Sequence, residues 1–270
     1  MQKMGFNVFS IVVALGLISC NHSDRTGLAG GEGGGGYSSD CKSSLPLNEL
    51  FGSVHGAGSK KGFSGISDIL LILENYKMDD RNRKLNLKRL VKNIDVFKFP
   101  FHKMPLLKDS IATRDNVIAA LQYKRKLLYS LIDILKIFNL DDSSSNEAML
   151  ANNFVLLLEK VSDLTLQLIY EDFDGACLDK LKNSTDRELV FVIYNRLMSI
   201  MKIRKLLLNS FEFIINDLVE NMESLKTKSV DKEYVLNTFN KLVGSDNVLL
   251  SVFEGMQDRV RNLRGLLKAL

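Results

Sequence analysis

Leu189-Val190-Phe191-Val192-Ile193-Tyr194-Asn195-Arg196-Leu197-Met198-Ser199-Ile200-Met201 is the stretch that decides the fold. Arg196 is its only charge. A helix that is apolar nearly all round belongs in the middle of a bundle, where every face meets another helix. A membrane span is the competing reading, but Asn195, Arg196 and Ser199 interrupt the run well short of the ~20 apolar residues a bilayer requires. The helical period extends on both sides and predicts a helix from about 186 to 226.

Reading outward, a break is expected at Thr227 to Val230. Helices are expected over 231–243 and 247–268, parted by Gly244-Ser245-Asp246. Gly244 suits the C′ position of the first, and Ser245 or Asp246 the cap of the second. In the other direction, Thr185 with Glu188 matches a capping box, and so does Ser144 with Glu147. Between them a helix capped by Ser144 and running to about 182 is expected, bent or split near Gly175. The loop Asp141 to Asn146 ends a long helix, 106–139, whose core face is Val117, Leu121, Leu128, Leu131, Ile132, Leu135 and Phe138. Pro100 and Pro105 bracket a further break over Phe99 to Met104. Helices over 80–97 and 66–77 complete the set. Strand signals are weak, no Asn-Gly or Asp-Gly turn occurs, and no repeat of fixed period is visible. The expectation is an all-α fold: one antiparallel bundle of about seven helices over residues 64–270.

Residues 20–63 differ in kind. Eleven of the 18 glycines lie between 21 and 63, including Gly33-Gly34-Gly35-Gly36. Such a stretch buries too little apolar surface to offset its ordering entropy, so a flexible tether is expected. Its root-mean-square reach would be roughly 35–40 Å. Leu45-Pro46-Leu47-Asn48-Glu49-Leu50-Phe51 interrupts it, a short run suited to docking or to one helical turn. Gly58-Ser59-Lys60-Lys61-Gly62 is not a P-loop, because it lacks the preceding strand and the Gly-Lys-Ser/Thr order.

Residues 1–19 read as a secretion signal: Lys3, then a mostly apolar run from Phe6 to Leu17, too short to span a bilayer comfortably. The run ends Leu17-Ile18-Ser19-Cys20, which resembles the lipobox of bacterial lipoproteins. That resemblance implies cleavage before Cys20, with covalent diacylglycerol and an N-acyl chain on Cys20 as the membrane anchor. No other cofactor is expected.

Catalysis finds little support. His22 and His55 fall in the tether and His102 between two prolines, so no metal-binding His pair arises. No Gly-x-Ser-x-Gly occurs. The expectation is no enzyme and no metal. Besides Cys20, Cys41 and Cys177 could pair in an oxidising compartment, or Cys177 could pack as a small core hydrophobe with Cys41 free. The formal charge of +4 falls to +3 once Lys3 leaves with the signal. That is too mild for bulk nucleic-acid binding.

Basic clusters are the best binding candidates. Arg81, Lys84, Lys88 and Lys92 make one stripe, and Lys124-Arg125-Lys126 a second cluster; together they form the expected basic patch. Lys202, Arg204 and Lys205 form a third cluster, and Arg259, Arg261, Arg264 and Lys268 mark the last helix. They could be solvated backs of amphipathic helices, or a patch for a sulfated glycan or an acidic protein surface.

Lipobox, Gly-rich tether and a Trp-free helical body rich in Lys, Asn and Leu together resemble Borrelia-type spirochaetal outer-surface lipoproteins, in particular the helical complement-regulator-acquiring proteins and their paralogues. The resemblance implies outer-membrane, cell-surface display and capture of a host protein such as a complement regulator, plasminogen or a matrix component, for immune evasion or adhesion. The alternative is a periplasm-facing structural or envelope-assembly lipoprotein. No ligand-binding residue of that family maps onto this chain.

Overall fold

The computed structural model describes residues 63–90, 101–104, 110–225, 228–244 and 248–270. The expected signal, Cys20, Cys41 and all but the last residue of the tether lie outside them. Eight α-helices occur among the described residues: α1 Ile66–Leu90, α2 Ile111–Ala120, α3 Arg125–Leu135, α4 Asn146–Gln167, α5 Gly175–Asn183, α6 Arg187–Leu225, α7 Lys228–Val243 and α8 Val248–Lys268. A short 3-10 turn spans Phe101–Lys103, and a π-turn, Leu168–Asp172, extends α4. No strand occurs among the described residues, and none of their helices is long and apolar enough to cross a membrane. The all-α bundle is as the sequence predicts.

Helix α6 organises it. Its 39 residues span about 58 Å. Ile193, Leu197, Ile200, Leu207, Phe211, Ile214 and Leu218 are buried along it at spacings of three, four and seven, the pattern of one helix packed between others. It packs against α1, α3, α4, α7 and α8. Its apolar circumference is not wholly enclosed, for Val192 and Phe213 reach solvent. On its far side α4 carries α2, and α7 and α8 close the bundle over α4. Phe154 of α4 sits edge-on to Phe211 of α6 with ring centres 5.9 Å apart. It also stacks on Phe239 of α7 at 4.7 Å.

Several boundaries differ from expectation for identifiable reasons. The helices predicted over 66–77 and 80–97 are one helix as far as Leu90. Asp79 does not stop it, because its carboxylate pairs with Arg83 one turn on at 2.7 Å. The helix predicted over 106–139 is two, broken at Leu121–Lys124 and ending at Leu135. The split near Gly175 is present, where the π-turn gives way to Asp174, whose side chain caps α5 by accepting from Cys177 N. Cys177 is half-buried against the core, and burial raises its thiol pKa, with Asp174 adding to the effect.

Both expected capping boxes shift by one residue. Asp186, not Thr185, receives the N–H of Leu189 at 2.9 Å. Ser145, not Ser144, caps α4, its Oγ accepting from Ala148 N at 3.1 Å. In each case the capping side chain stands immediately before the helix. Glu147 is thereby released for other work. It accepts from Asn139 N at 2.7 Å and pairs with Lys232 of α7 at 2.7 Å. Burial pushes the Glu147 carboxyl up, but these two donors outweigh it and hold the pKa below its ordinary 4.5. Glu147→Gln should lose about 1 kcal/mol of stability at neutral pH. A carboxylate whose folded pKa is depressed stabilises above its unfolded value, and the gain is lost as pH falls through the folded one. The gap between variant and wild type, measured by urea unfolding, should therefore shrink below pH 4.5.

Gly244 does close α7, donating its N–H to Asn240 O at 2.9 Å. Its backbone is not left-handed, so the C′ expectation fails. Glycine is needed for space instead, because a Cβ would lie 2.6 Å from the Asn240 carbonyl oxygen and against its Oδ1. Gly244→Ala should cost about 1–3 kcal/mol, read as a lower melting temperature.

Candidate functional site

The break between α2 and α3 contains neither Gly nor Pro. Gln122 and Tyr123 both take left-handed backbone, with φ of 56° and 55°. Such a conformation costs a non-glycine residue about 1–2 kcal/mol. Local bonds offset part of this. Gln122 N–H reaches Ala119 O at 2.9 Å and Tyr123 N–H reaches Ile118 O at 3.0 Å, the Schellman closure of a helix end that glycine usually occupies.

Long-range bonds complete the compensation. Arg83 of α1 donates to Gln122 Oε1 at 2.9 Å. The Tyr123 hydroxyl donates to Asp80 of α1 at 3.1 Å. Gln122 Nε2 and Lys124 Nζ both reach Glu212 of α6, at 3.3 and 2.7 Å. Strained backbone held by its surroundings concentrates at functional sites, and here it forms one wall of a cavity.

That cavity, about 320 Å³, lies between the middle of α1, the 121–124 break and the middle of α6. Tyr76 forms part of its floor, with the Arg204 guanidinium 4.7 Å above the ring. Arg204 Nε is buried with no hydrogen-bond partner. Lys205 and Asn209 stand on the same wall and are exposed. Burial, with a smaller push from Asp80, raises the Tyr76 phenol to about 12 against the pull of Arg204. Burial and the neighbouring Asp80 raise Tyr123 as well. Both phenols therefore stay protonated at neutral pH, and the Tyr123 proton is already given to Asp80. The lining carries both signs: Asp79 and Asp80 stand beside Arg83, Arg204 and Lys205. Arg83 is taken up by Asp79, and Arg204, Lys205 and Asn209 are left as the groups suited to an acidic or polar partner. Among the described residues no cluster of His, Cys, Asp or Glu could hold a metal ion.

A second concavity of about 370 Å³ lies between α4 and the ends of α7 and α8, with Leu150, Leu157 and Val243 beside Asn146, Asn153 and Lys160.

None of the six described residues of the expected patch lines the first cavity. Arg81 and Lys88 are exposed on α1, and Lys92 lies outside the described residues. Lys84 is drawn to Asp115 of α2 at 3.0 Å. Lys124 is bound to Glu212. Arg125 lies over the Tyr129 ring at 5.3 Å, and Lys126 is exposed. Because the helix breaks at 121–124, Lys124-Arg125-Lys126 sits at a helix start, where the dipole disfavours cations and Glu212 offsets it. The third cluster contributes most, through Arg204 and Lys205. The last-helix cations are largely structural. Arg264 pairs with Asp172 of the π-turn at 2.7 Å, Arg259 donates to Ser199 of α6 at 3.2 Å, and Arg261 pairs with Asp258. Burial and the nearby Arg196 lower the Arg259 pKa. Tyr76, Asp80, Arg83, Gln122 and Tyr123 carried no sequence signal as site residues.

No protein-family model, curated protein or solved structure matches the chain.

Proposed function

We infer that the chain is a lipid-anchored outer-surface lipoprotein whose helical body is a non-enzymatic binding module for a host protein, such as a complement regulator, plasminogen or a matrix component. The observation that carries this reading is an order of parts: Leu17-Ile18-Ser19-Cys20, then the Gly-rich stretch to residue 63, then a helical body. The resemblance to spirochaetal surface lipoproteins supports it. A long tether suits a module that must reach past a crowded surface.

The cavity beside the 121–124 break supplies the chemistry. Arg204 and Lys205, with Asn209, suit an acidic group of the partner. Arg204 and Lys205 act through charge, so binding should weaken between low and physiological salt.

The test is protease digestion of intact cells, with a known periplasmic protein as control, followed by capture from serum. Loss of the chain while the control survives, and a salt-sensitive serum partner weakened by Arg204→Ala with Lys205→Ala, are the results expected. Survival alongside the control would overturn the surface reading and turn the search to envelope partners. A partner indifferent to salt and to those substitutions would overturn the role of the cavity.

A further inference from the structure

Helix α1 is apolar on two opposite faces. Ile69, Leu73, Tyr76 and Leu87 are buried against the body. On the other side Leu71, Met78 and Leu85 are 57%, 59% and 46% exposed. Their seven-residue spacing drifts only about 20° per step on a straight helix. The row is therefore continuous over about 21 Å. Single exposed apolar residues need no explanation. Three in register do, on a helix whose principal packing is with α6 alone.

The flanks of the row identify what would cover it. Glu74 and Arg81 lie along one edge, and Asn75 and Asn82 along the other, all exposed. Glu74, Asn75 and Asn82 form no hydrogen bond or ion pair with the described residues.

We propose that this face of α1 binds a second copy of the chain, the two helices running antiparallel about a two-fold axis at Met78. Such an axis sets the residue n before 78 beside the residue n after it on the partner. Leu71 then packs on the partner's Leu85, and Met78 on its own counterpart. In an antiparallel pair each edge meets the same edge of the other helix. Glu74, four residues before the axis, therefore falls one residue from the partner's Arg81, three after it. Two equivalent ion pairs result. On the other edge Asn75 meets the partner's Asn82, amide against amide. A parallel pair sets Glu74 against the partner's Asn75 and Arg81 against the partner's Asn82, with no ion pair. Self-complementary charge is the mark of an isologous contact, so the surface selects a copy of itself.

Sedimentation velocity of the full chain over a concentration series tests this. The sedimenting mass should double with concentration. Met78→Lys should leave only monomer, with an unchanged circular dichroism spectrum because Met78 is exposed. Glu74→Arg or Arg81→Glu alone should weaken association about tenfold, and the two together should restore it. A monomer at every concentration would overturn the proposal. So would a dimer indifferent to Met78→Lys, or a charge swap that restores nothing.

Discussion

Replacing Phe154 by Ala is expected to lower the unfolding free energy by about 4 kcal/mol, nearly three decades in the folding equilibrium. Phe154 is fully buried. Its ring meets Phe211 of α6 edge-on and Phe239 of α7 face-tilted, and Phe239 in turn meets Phe138 at 5.1 Å. One truncation thus loses the transfer energy of a phenyl group, leaves a cavity among three helices, and removes two aromatic pairs of about 1 kcal/mol each. Urea unfolding reads the loss. Phe213→Ala on α6 is the control, since that ring is 39% exposed. Its cost should stay below about 1 kcal/mol. Equal costs for the two would mean that the ring cluster is not the centre of the core.

Cys20→Ala should move the protein from the membrane fraction to the soluble one. Two or three acyl chains on one residue hold a protein stably, whereas one chain gives only marginal binding. No helix among the described residues is long and apolar enough to replace them. Labelling of growing cells with radioactive palmitate gives a second readout, which the variant should lose entirely. A Cys20→Ala protein that still takes up label, or still sediments with membranes, would end the lipid-anchor reading.

What the sequence revealed and what it concealed have physical causes. Helix α6 was legible to within a residue or so at either end, because a run apolar on all sides has one helical solution. The split at Gly175 was legible from the glycine itself. The break at Leu121–Lys124 was not, because none of its four residues stops a helix. Partners 39 to 90 positions away hold it open, among them Arg83 and Glu212. The cavity was hidden with it, since its wall exists only once that break forms. The capping boxes were misplaced because Ser143, Ser144 and Ser145 all offer the same hydroxyl, and only the path of the chain selects one. The basic stripe on α1 was visible as a stripe. That Asp115 draws Lys84 away from it was not, because that contact also spans distant sequence.

The central position of α6 bears on how the chain is made. Helices α1 and α3 bury their apolar faces against a partner that begins only at Arg187. A growing chain emerges from its amino end, so for most of synthesis those faces have nothing to close on. Such a chain stays loose until late. Completion of the fold waits until residues 187–225 arrive and the earlier helices gather around them.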